Sequence, residues 1–106
     1  MFISWRKLIW QRHLSAHAEI ITADLSDPAQ AKNMYNTCKQ NGWQVDVLIN
    51  NAGFGGQGDF ARERTMQQDM SMIAVNVEAP TRLCRLFLPD MIARGCTKTK
   101  RKDDRE

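Results

Sequence analysis

The feature that most constrains the fold is a strand-like run that ends in a polar, glycine-rich turn. Residues 45–50 read Val-Asp-Val-Leu-Ile-Asn, and they are apolar apart from Asp46 and the final asparagine. Such a run is typical of a strand that is covered on both faces. Asn51 follows, and then four glycines at positions 53, 55, 56 and 58. Because open α/β sheets bind ligands where a parallel strand ends in such a loop, the run predicts an α/β fold with a ligand site here.

The segment before this strand has the marks of a helix with one apolar face. Asp27 is suited to cap the helix, Pro28 fits its first position, and Gln30 completes a capping-box pattern. Asn41-Gly42 is typical of a helix end, where a left-handed residue is favoured. The apolar face recurs at i, i+3, i+4 and i+7, and it consists of Ala31, Met34, Tyr35 and Cys38.

A β-prone stretch precedes this helix, and a long helical pattern follows the glycines. Glu19–Ala23 predicts a strand, so the expected order is strand, helix, strand, long helix. The long helix runs from about Arg64 to Arg94. Pro80 falls inside it and lacks an N–H, which predicts a kink or break near Glu78-Ala79. One side of the long helix is apolar and consists of Met70, Ile73, Ala74, Val77, Thr81, Cys84 and Leu88.

Three landmarks together resemble one family, the short-chain dehydrogenases/reductases. Asn50-Asn51-Ala52-Gly53 resembles its Asn-Asn-Ala-Gly motif. Asp24-Leu25 resembles the Asp-Leu or Asp-Val pair that borders the adenine ring, and Val75-Asn76 resembles the Val-Asn element of the long helix. The landmarks stand in the family's order and spacing, and the resemblance covers residues 18–95. It implies a partial Rossmann-like, doubly wound α/β fold.

The resemblance implies an NAD(P)-dependent oxidoreductase acting on alcohols or carbonyls, and it gives each landmark a role. The Asp24 carboxylate would accept a hydrogen bond from the adenine amino group, and Leu25 would border the ring. Asn50 and Asn51 would tie the strand end to its neighbour and line the adenosine ribose. From the residues alone, Asp24 also has a simpler interpretation, as an acid that flanks a helix.

The remaining landmarks would shape the cofactor site and its proton relay. Ala52 and Gly53 would let the backbone approach the cofactor, because a larger side chain would occupy the nucleotide's space. Val75 would pack beside the ribose. Asn76 matches the family's tetrad asparagine, which holds a proton-relaying water; its simpler interpretation is a polar residue satisfying helix backbone at the Pro80 break. The cofactor would be NAD or NADP, without a residue here that discriminates them, and we expect no metal.

Other parts of the family pattern have no counterpart in these 106 residues. The Thr-Gly-x-x-x-Gly-x-Gly turn that holds the pyrophosphate is absent, as are the catalytic serine strand and the Tyr-x-x-x-Lys pair expected beyond Gly95. Tyr35 and Lys39 have that spacing, but they lie upstream of the Asn-Asn-Ala-Gly turn, in the wrong helix. We therefore expect an internal fragment of the fold, inactive alone.

Topology and the long helix suggest an alternative to catalysis. The family sheet has the strand order 3-2-1-4-5-6, and the two strands predicted here correspond to strands three and four, which do not touch in that order. The fragment would then pair these strands directly, stay partly disordered or need a partner chain. In the family, the long helix also makes a dimer contact. The alternative function is thus a noncatalytic interaction module that pairs with a full-length relative, or forms a homo-oligomer, through this helix.

Charge and composition divide the chain into three parts. Residues 1–14 carry three basic residues and no acid, residues 15–95 seven basic and nine acidic, and residues 96–106 five basic and three acidic. The segment 1–17 is therefore a basic, aromatic N-terminal segment, 18–95 the Rossmann-like domain, and 96–106 a charged tail expected to be disordered. The first segment is interpreted as the remnant of a preceding element, or as a presequence or membrane-surface anchor.

The same composition argues against several partners. The body of the chain is mildly acidic, so the net charge of +3 does not indicate a nucleic-acid partner. No stretch approaches the roughly 18 apolar residues of a membrane span. Cys38, Cys84 and Cys96 lack paired spacing and are expected to be reduced thiols of a cytoplasmic protein. His13 and His17 share a helical spacing but have no further ligand for a metal.

Overall fold

The computed structural model describes residues 19–95, and this part of the chain consists of helices joined by irregular backbone. Helix α1 spans Pro28–Gln40, α2 spans Met66–Ile73 and α3 spans Ala79–Ala93. A five-residue π-helix, Ala74–Glu78, joins α2 to α3. The predictions for the segment 1–17, the two histidines, Cys96 and the tail 96–106 lie outside the described residues.

The prediction of two strands, at Glu19–Ala23 and Val45–Asn50, is wrong, since no strand occurs in residues 19–95. A strand exists only by pairing with a neighbour, and the family order places two further strands between these two segments. Burial on both faces is wrong as well. Val47 and Ile49 are 73% and 79% exposed, whereas Val45 and Leu48 pack against the helices. The helices cover one side of this segment only.

Helix α1 begins and ends where the sequence predicts. Asp27 Oδ1 accepts from the Ala29 N–H at 3.0 Å, and Pro28 occupies the first turn. The predicted capping box is not made, because the Gln30 side chain donates to the Asp27 carboxylate at 3.3 Å instead of accepting from the Asp27 N–H. Gly42 follows the helix with a φ of 68°, a left-handed conformation that favours glycine.

The long helix begins with a capping box and is interrupted before its proline. Thr65 Oγ1 accepts from the Gln68 N–H at 3.2 Å, and Gln68 Oε1 accepts from the Thr65 N–H at 2.9 Å. The predicted break near Glu78-Ala79 is confirmed as the π-helix Ala74–Glu78. Pro80 has no N–H with which to continue the α-helical ladder, and such losses are a recognised cause of helix interruption.

The core consists of two clusters between α1, the π-helix, α3 and the irregular segments. The first cluster contains Ala23, Leu25, Val75 and Ala79, with Met34, Ala52 and Phe54 packed against it. The second contains Ala31, Leu83, Phe87 and Met91, with Met34, Tyr35, Cys38, Val45, Leu48 and Leu86 against it. The predicted apolar face of α1 is therefore confirmed. Because Ala52 and Phe54 contact the first cluster, the asparagine–glycine turn packs directly on the π-helix.

Candidate functional site

Most of the residues that the sequence assigns to cofactor binding line one cavity of about 600 Å³. These residues are Leu25, Asn50, Asn51, Ala52, Gly53 and Val75. The rest of the lining is largely apolar and comes from α1, α3 and the segment around Leu48. Asp24 and Asn76 are not part of the lining. The fold thus brings three separate stretches of sequence to the wall of one cavity.

Asn76 fastens the turn that forms part of this wall. Its Oδ1 accepts from the Phe54 N–H at 3.0 Å, and its Nδ2 donates to the Phe54 carbonyl at 2.7 Å. A Cβ added to Gly53 would lie 3.0 Å from the same Oδ1, so a glycine fits best at this position. The side-chain amide therefore bonds to the loop backbone, and not to the helix backbone at the Pro80 break.

Asp24 lies beside the buried Leu25, in a tight local network. Its Oδ1 accepts from the Ser26 N–H at 2.9 Å and from the Ser26 hydroxyl at 2.7 Å. These hydrogen bonds, that of the hydroxyl foremost, hold the pKa of the Asp24 carboxyl below its usual value. The group is thus ionised at neutral pH and exposed, as an acceptor for an amino group must be.

Asn50 and Val75 make contacts that the sequence does not reveal. Asn50 Nδ2 donates to the Cys84 sulfur on α3 at 3.3 Å, and so ties the strand-like segment to a helix and not to a neighbouring strand. Val75 is 2% exposed and packs in the first core cluster. Cys38 and Cys84 are free thiols, and burial raises the pKa of the Cys38 thiol.

An ion pair that the sequence analysis did not predict, between Arg64 and Asp69, holds the glycine-rich loop where it leads into α2. Arg64 Nε donates to Asp69 Oδ1 at 2.7 Å, and the two side chains are only 9% and 18% exposed. A Cβ on Gly56 would overlap the Arg64 guanidinium, so this guanidinium occupies the space above the glycine. The sequence signal that could have indicated this ion pair is Asp69 in the first turn of α2, because acids are favoured at helix N-termini.

Comparison with known proteins identifies the family of this chain. The family model of the short chain dehydrogenases matches residues 6–98, most of the chain. The chain belongs to the short-chain dehydrogenase family. No solved structure gives a significant match.

Several curated short-chain dehydrogenases and oxidoreductases are similar to the chain. A "probable NADP-dependent dehydrogenase" of Haemophilus influenzae is 38% identical over 73 residues, which are 68% of this chain and 29% of that protein. "Oxidoreductase UcpA" of Escherichia coli K12 is 31% identical over 70% of this chain and 28% of its own length. "Dehydrogenase/reductase SDR family member 7B" of Mus musculus is 32% identical over 71% of this chain and 23% of its own length. The chain spans less than a third of the length of these relatives.

The pair with the short-chain dehydrogenase spacing, Tyr35 and Lys39, lies outside the cofactor cavity and is engaged elsewhere. The Tyr35 hydroxyl donates to Asp90 Oδ2 at 2.9 Å, and Lys39 Nζ lies 3.1 Å from the same oxygen. The hydrogen bond to Asp90 raises the pKa of Tyr35, and burial adds to the effect. A raised pKa opposes formation of the tyrosinate that the family's chemistry requires. This trio, the Tyr35–Lys39–Asp90 clamp, joins α1 to α3.

The clamp should give the stability of the chain a distinct pH dependence. The hydrogen bond from Lys39, and after it the one from Tyr35, lowers the pKa of Asp90. The stabilisation that Asp90 contributes is therefore fully present above its unfolded pKa near 3.8, and it is lost as the pH falls through its folded pKa. Tyr35 and Lys39 have raised pKa values, so their contributions are lost only as the pH rises through those folded values. In urea titrations from pH 2 to 6, the Asp90→Asn variant should show a flatter acid limb than the wild type; identical limbs would contradict the clamp.

Two absences apply to the described residues alone. No group of three or more His, Cys, Asp or Glu residues in 19–95 could hold a metal ion. No helix in this part of the chain is long and apolar enough to cross a membrane. The expected cytoplasmic location and the absence of a nucleic-acid partner stay predictions.

Proposed function

We propose that residues 19–95 form the adenosine side of the cofactor site of an NAD(P)-dependent oxidoreductase acting on alcohols or carbonyls. The observation that supports this best is the cavity of about 600 Å³, which gathers Leu25, the residues 50–53 and Val75 on one wall. The name of the Haemophilus influenzae relative, a probable NADP-dependent dehydrogenase, also favours a nicotinamide cofactor.

The contacts of the wall, and those of Asp24 and Asn76 next to it, fit an adenosine in several ways. The ionised Asp24 supplies an acceptor for the adenine amino group, and Leu25 beside it supplies an apolar surface for the ring. Gly53 lets the turn pack close to Asn76, because an added Cβ would lie 3.0 Å from the Asn76 Oδ1; its part in the approach of a nucleotide stays a prediction. The bound nicotinamide would exchange a hydride with the substrate carbon. Asn76 holds the Phe54 backbone and thereby positions the turn beneath the ribose.

We expect these 106 residues alone to bind the cofactor weakly. The sequence contains no glycine-rich turn for the pyrophosphate, where charge-assisted hydrogen bonds contribute about 1.5–3 kcal/mol each. Losing two or three of them weakens binding by several powers of ten, since about 1.4 kcal/mol corresponds to a factor of ten. NAD and NADP should therefore bind with a dissociation constant in the millimolar range or above, and turnover should be absent.

Calorimetry with NADP and an absorbance assay with NADPH and a panel of carbonyls test this proposal. The expected results are millimolar or weaker binding and no oxidation above the buffer rate. A dissociation constant near ten micromolar that is abolished by Asp24→Ala would mean a far more complete site. Turnover that persists through purification would likewise contradict the proposal.

A second candidate function is a noncatalytic module that pairs with a full-length relative. It is favoured by exposed apolar side chains along α2, the π-helix and α3, namely Met66, Met70, Ile73, Val77, Leu88 and Ile92. Residues of this kind mark interaction surfaces when they are contiguous. The partner would present its corresponding long helix, the element through which the family dimerises. Light scattering on mixtures with an intact relative should detect a complex that Val77→Glu weakens; a monomer that ignores the relative would contradict this function.

A further inference from the structure

A small basic pocket lies between the start of α1 and the middle of α3, apart from the cofactor cavity. It has a volume of about 270 Å³ and is lined by Pro28, Lys32, Thr81, Arg82, Arg85 and Leu86. It shares no lining residue with the larger cavity. Nothing in the proposed oxidoreductase chemistry uses it.

The pocket concentrates positive charge in a part of the chain that is otherwise acidic. Residues 19–95 carry seven basic and nine acidic residues, and three of the seven basic residues line this one pocket. Arg82 is paired with Glu78 at 2.7 Å. Within the described part of the chain, no carboxylate lies within 4.0 Å of Lys32 or Arg85, whereas Lys39, Arg64 and Arg94 each have an acidic partner.

The side chains in this pocket offer donors, and no acidic group opposes them within the lining. Lys32 carries three N–H donors, and the Arg85 guanidinium carries five in a planar fork that suits phosphate oxygens. The Thr81 hydroxyl already donates to the Val77 carbonyl at 2.7 Å, so it contributes no donor. The pocket's volume suits a phosphate or a diphosphate but not a whole dinucleotide, which the cavity of about 600 Å³ suits better.

We propose that this pocket binds a small phosphate-type oxyanion, with Lys32 and Arg85 as its principal ligands and Arg82 as a supporting charge. A bound oxyanion would be attracted by Lys32 and Arg85, which have no acidic partner in the described part of the chain, and this attraction is strongest at low ionic strength. The site is independent of the proposed cofactor site, because it depends on different residues and on a different ligand.

Amide NMR of the full chain, titrated with pyrophosphate at low salt, tests the proposal. Saturable shifts are expected for residues 29–32 and 81–86 and not for residues 51–53. The double variant Lys32→Gln/Arg85→Gln should weaken binding by about ten-fold or more for each lost cation. Arg62→Gln removes an exposed arginine of the glycine-rich loop and should leave the affinity unchanged.

Three results would overturn the proposal. The first is the absence of saturable shifts at these residues up to millimolar pyrophosphate. The second is an affinity that survives the double variant, and the third is an equal loss in Arg62→Gln, which would indicate a response to net charge alone. None of these results bears on the cofactor site, whose readout residues are different.

Discussion

The Phe87→Ala variant is expected to lose about 3–5 kcal/mol of unfolding free energy, the cost typical of deleting a buried aromatic side chain. Phe87 is 7% exposed in the second core cluster. Its ring meets the Tyr35 ring edge-on, with centroids 5.2 Å apart and an interplanar angle of 82°. Because small domains have only a few kcal/mol of net stability, this loss should leave most of the chain unfolded at 25 °C.

Phe60→Ala provides the matched control for this experiment. Phe60 is 76% exposed in the glycine-rich loop, so its truncation should change the stability by less than about 0.5 kcal/mol. Urea denaturation followed by circular dichroism compares the two variants directly. Equal losses from both would mean that α1 and α3 do not pack through Phe87 in solution.

Asn76→Ala should destabilise the asparagine–glycine turn, which forms part of the wall of the cofactor cavity. The variant removes two hydrogen bonds to the Phe54 backbone, at 3.0 and 2.7 Å. With about 0.5–1.5 kcal/mol net for each bond, the expected loss is about 1–3 kcal/mol. The Phe54 amide should also exchange its hydrogen faster, because its acceptor is gone.

Asn36→Ala separates this effect from the helix preference of alanine. Asn36 is an exposed asparagine of α1, so its replacement gains helix propensity without removing the contact to the turn. Hydrogen exchange at Phe54 should be unchanged in this variant and faster in Asn76→Ala. The same exchange rate in both variants would contradict the role assigned to Asn76.

Local signals in the sequence were enough to predict the helices. The start of α1 is set by Asp27 and Pro28 and its end by Gly42, in each case through interactions with residues a few positions away. Pro80 determines where the long helix is interrupted. The strands could not be predicted in the same way, because a strand depends on a distant neighbour. Val47 and Ile49 have the residue types of a buried strand, yet they lie exposed where no described element covers them.

In the candidate site, too, the residues in short sequence motifs could be predicted, whereas contacts between residues distant in sequence could not. The resemblance assigned Leu25, Val75 and the turn 50–53 to one function, and the structure places them on the wall of one cavity. The contact of Asn76 with Phe54 joins residues 22 positions apart, and that of Tyr35 with Asp90 joins residues 55 apart. Neither contact has a local signature, so only the packed chain reveals that an apparent Tyr-x-x-x-Lys motif belongs to a clamp between helices.

An NMR titration of the full chain with adenosine probes the proposed adenosine side alone, because adenosine carries no phosphate. We expect weak, saturable shifts at Asp24 and Leu25, at residues 51–53 and at Val75, with smaller shifts in Asp24→Ala. The signals of the Tyr35–Lys39–Asp90 clamp and of the basic pocket at Lys32 and Arg85 should stay unchanged. Shifts confined to either of those places, or unchanged signals at residues 51–53 up to the solubility limit of adenosine, would contradict the proposal.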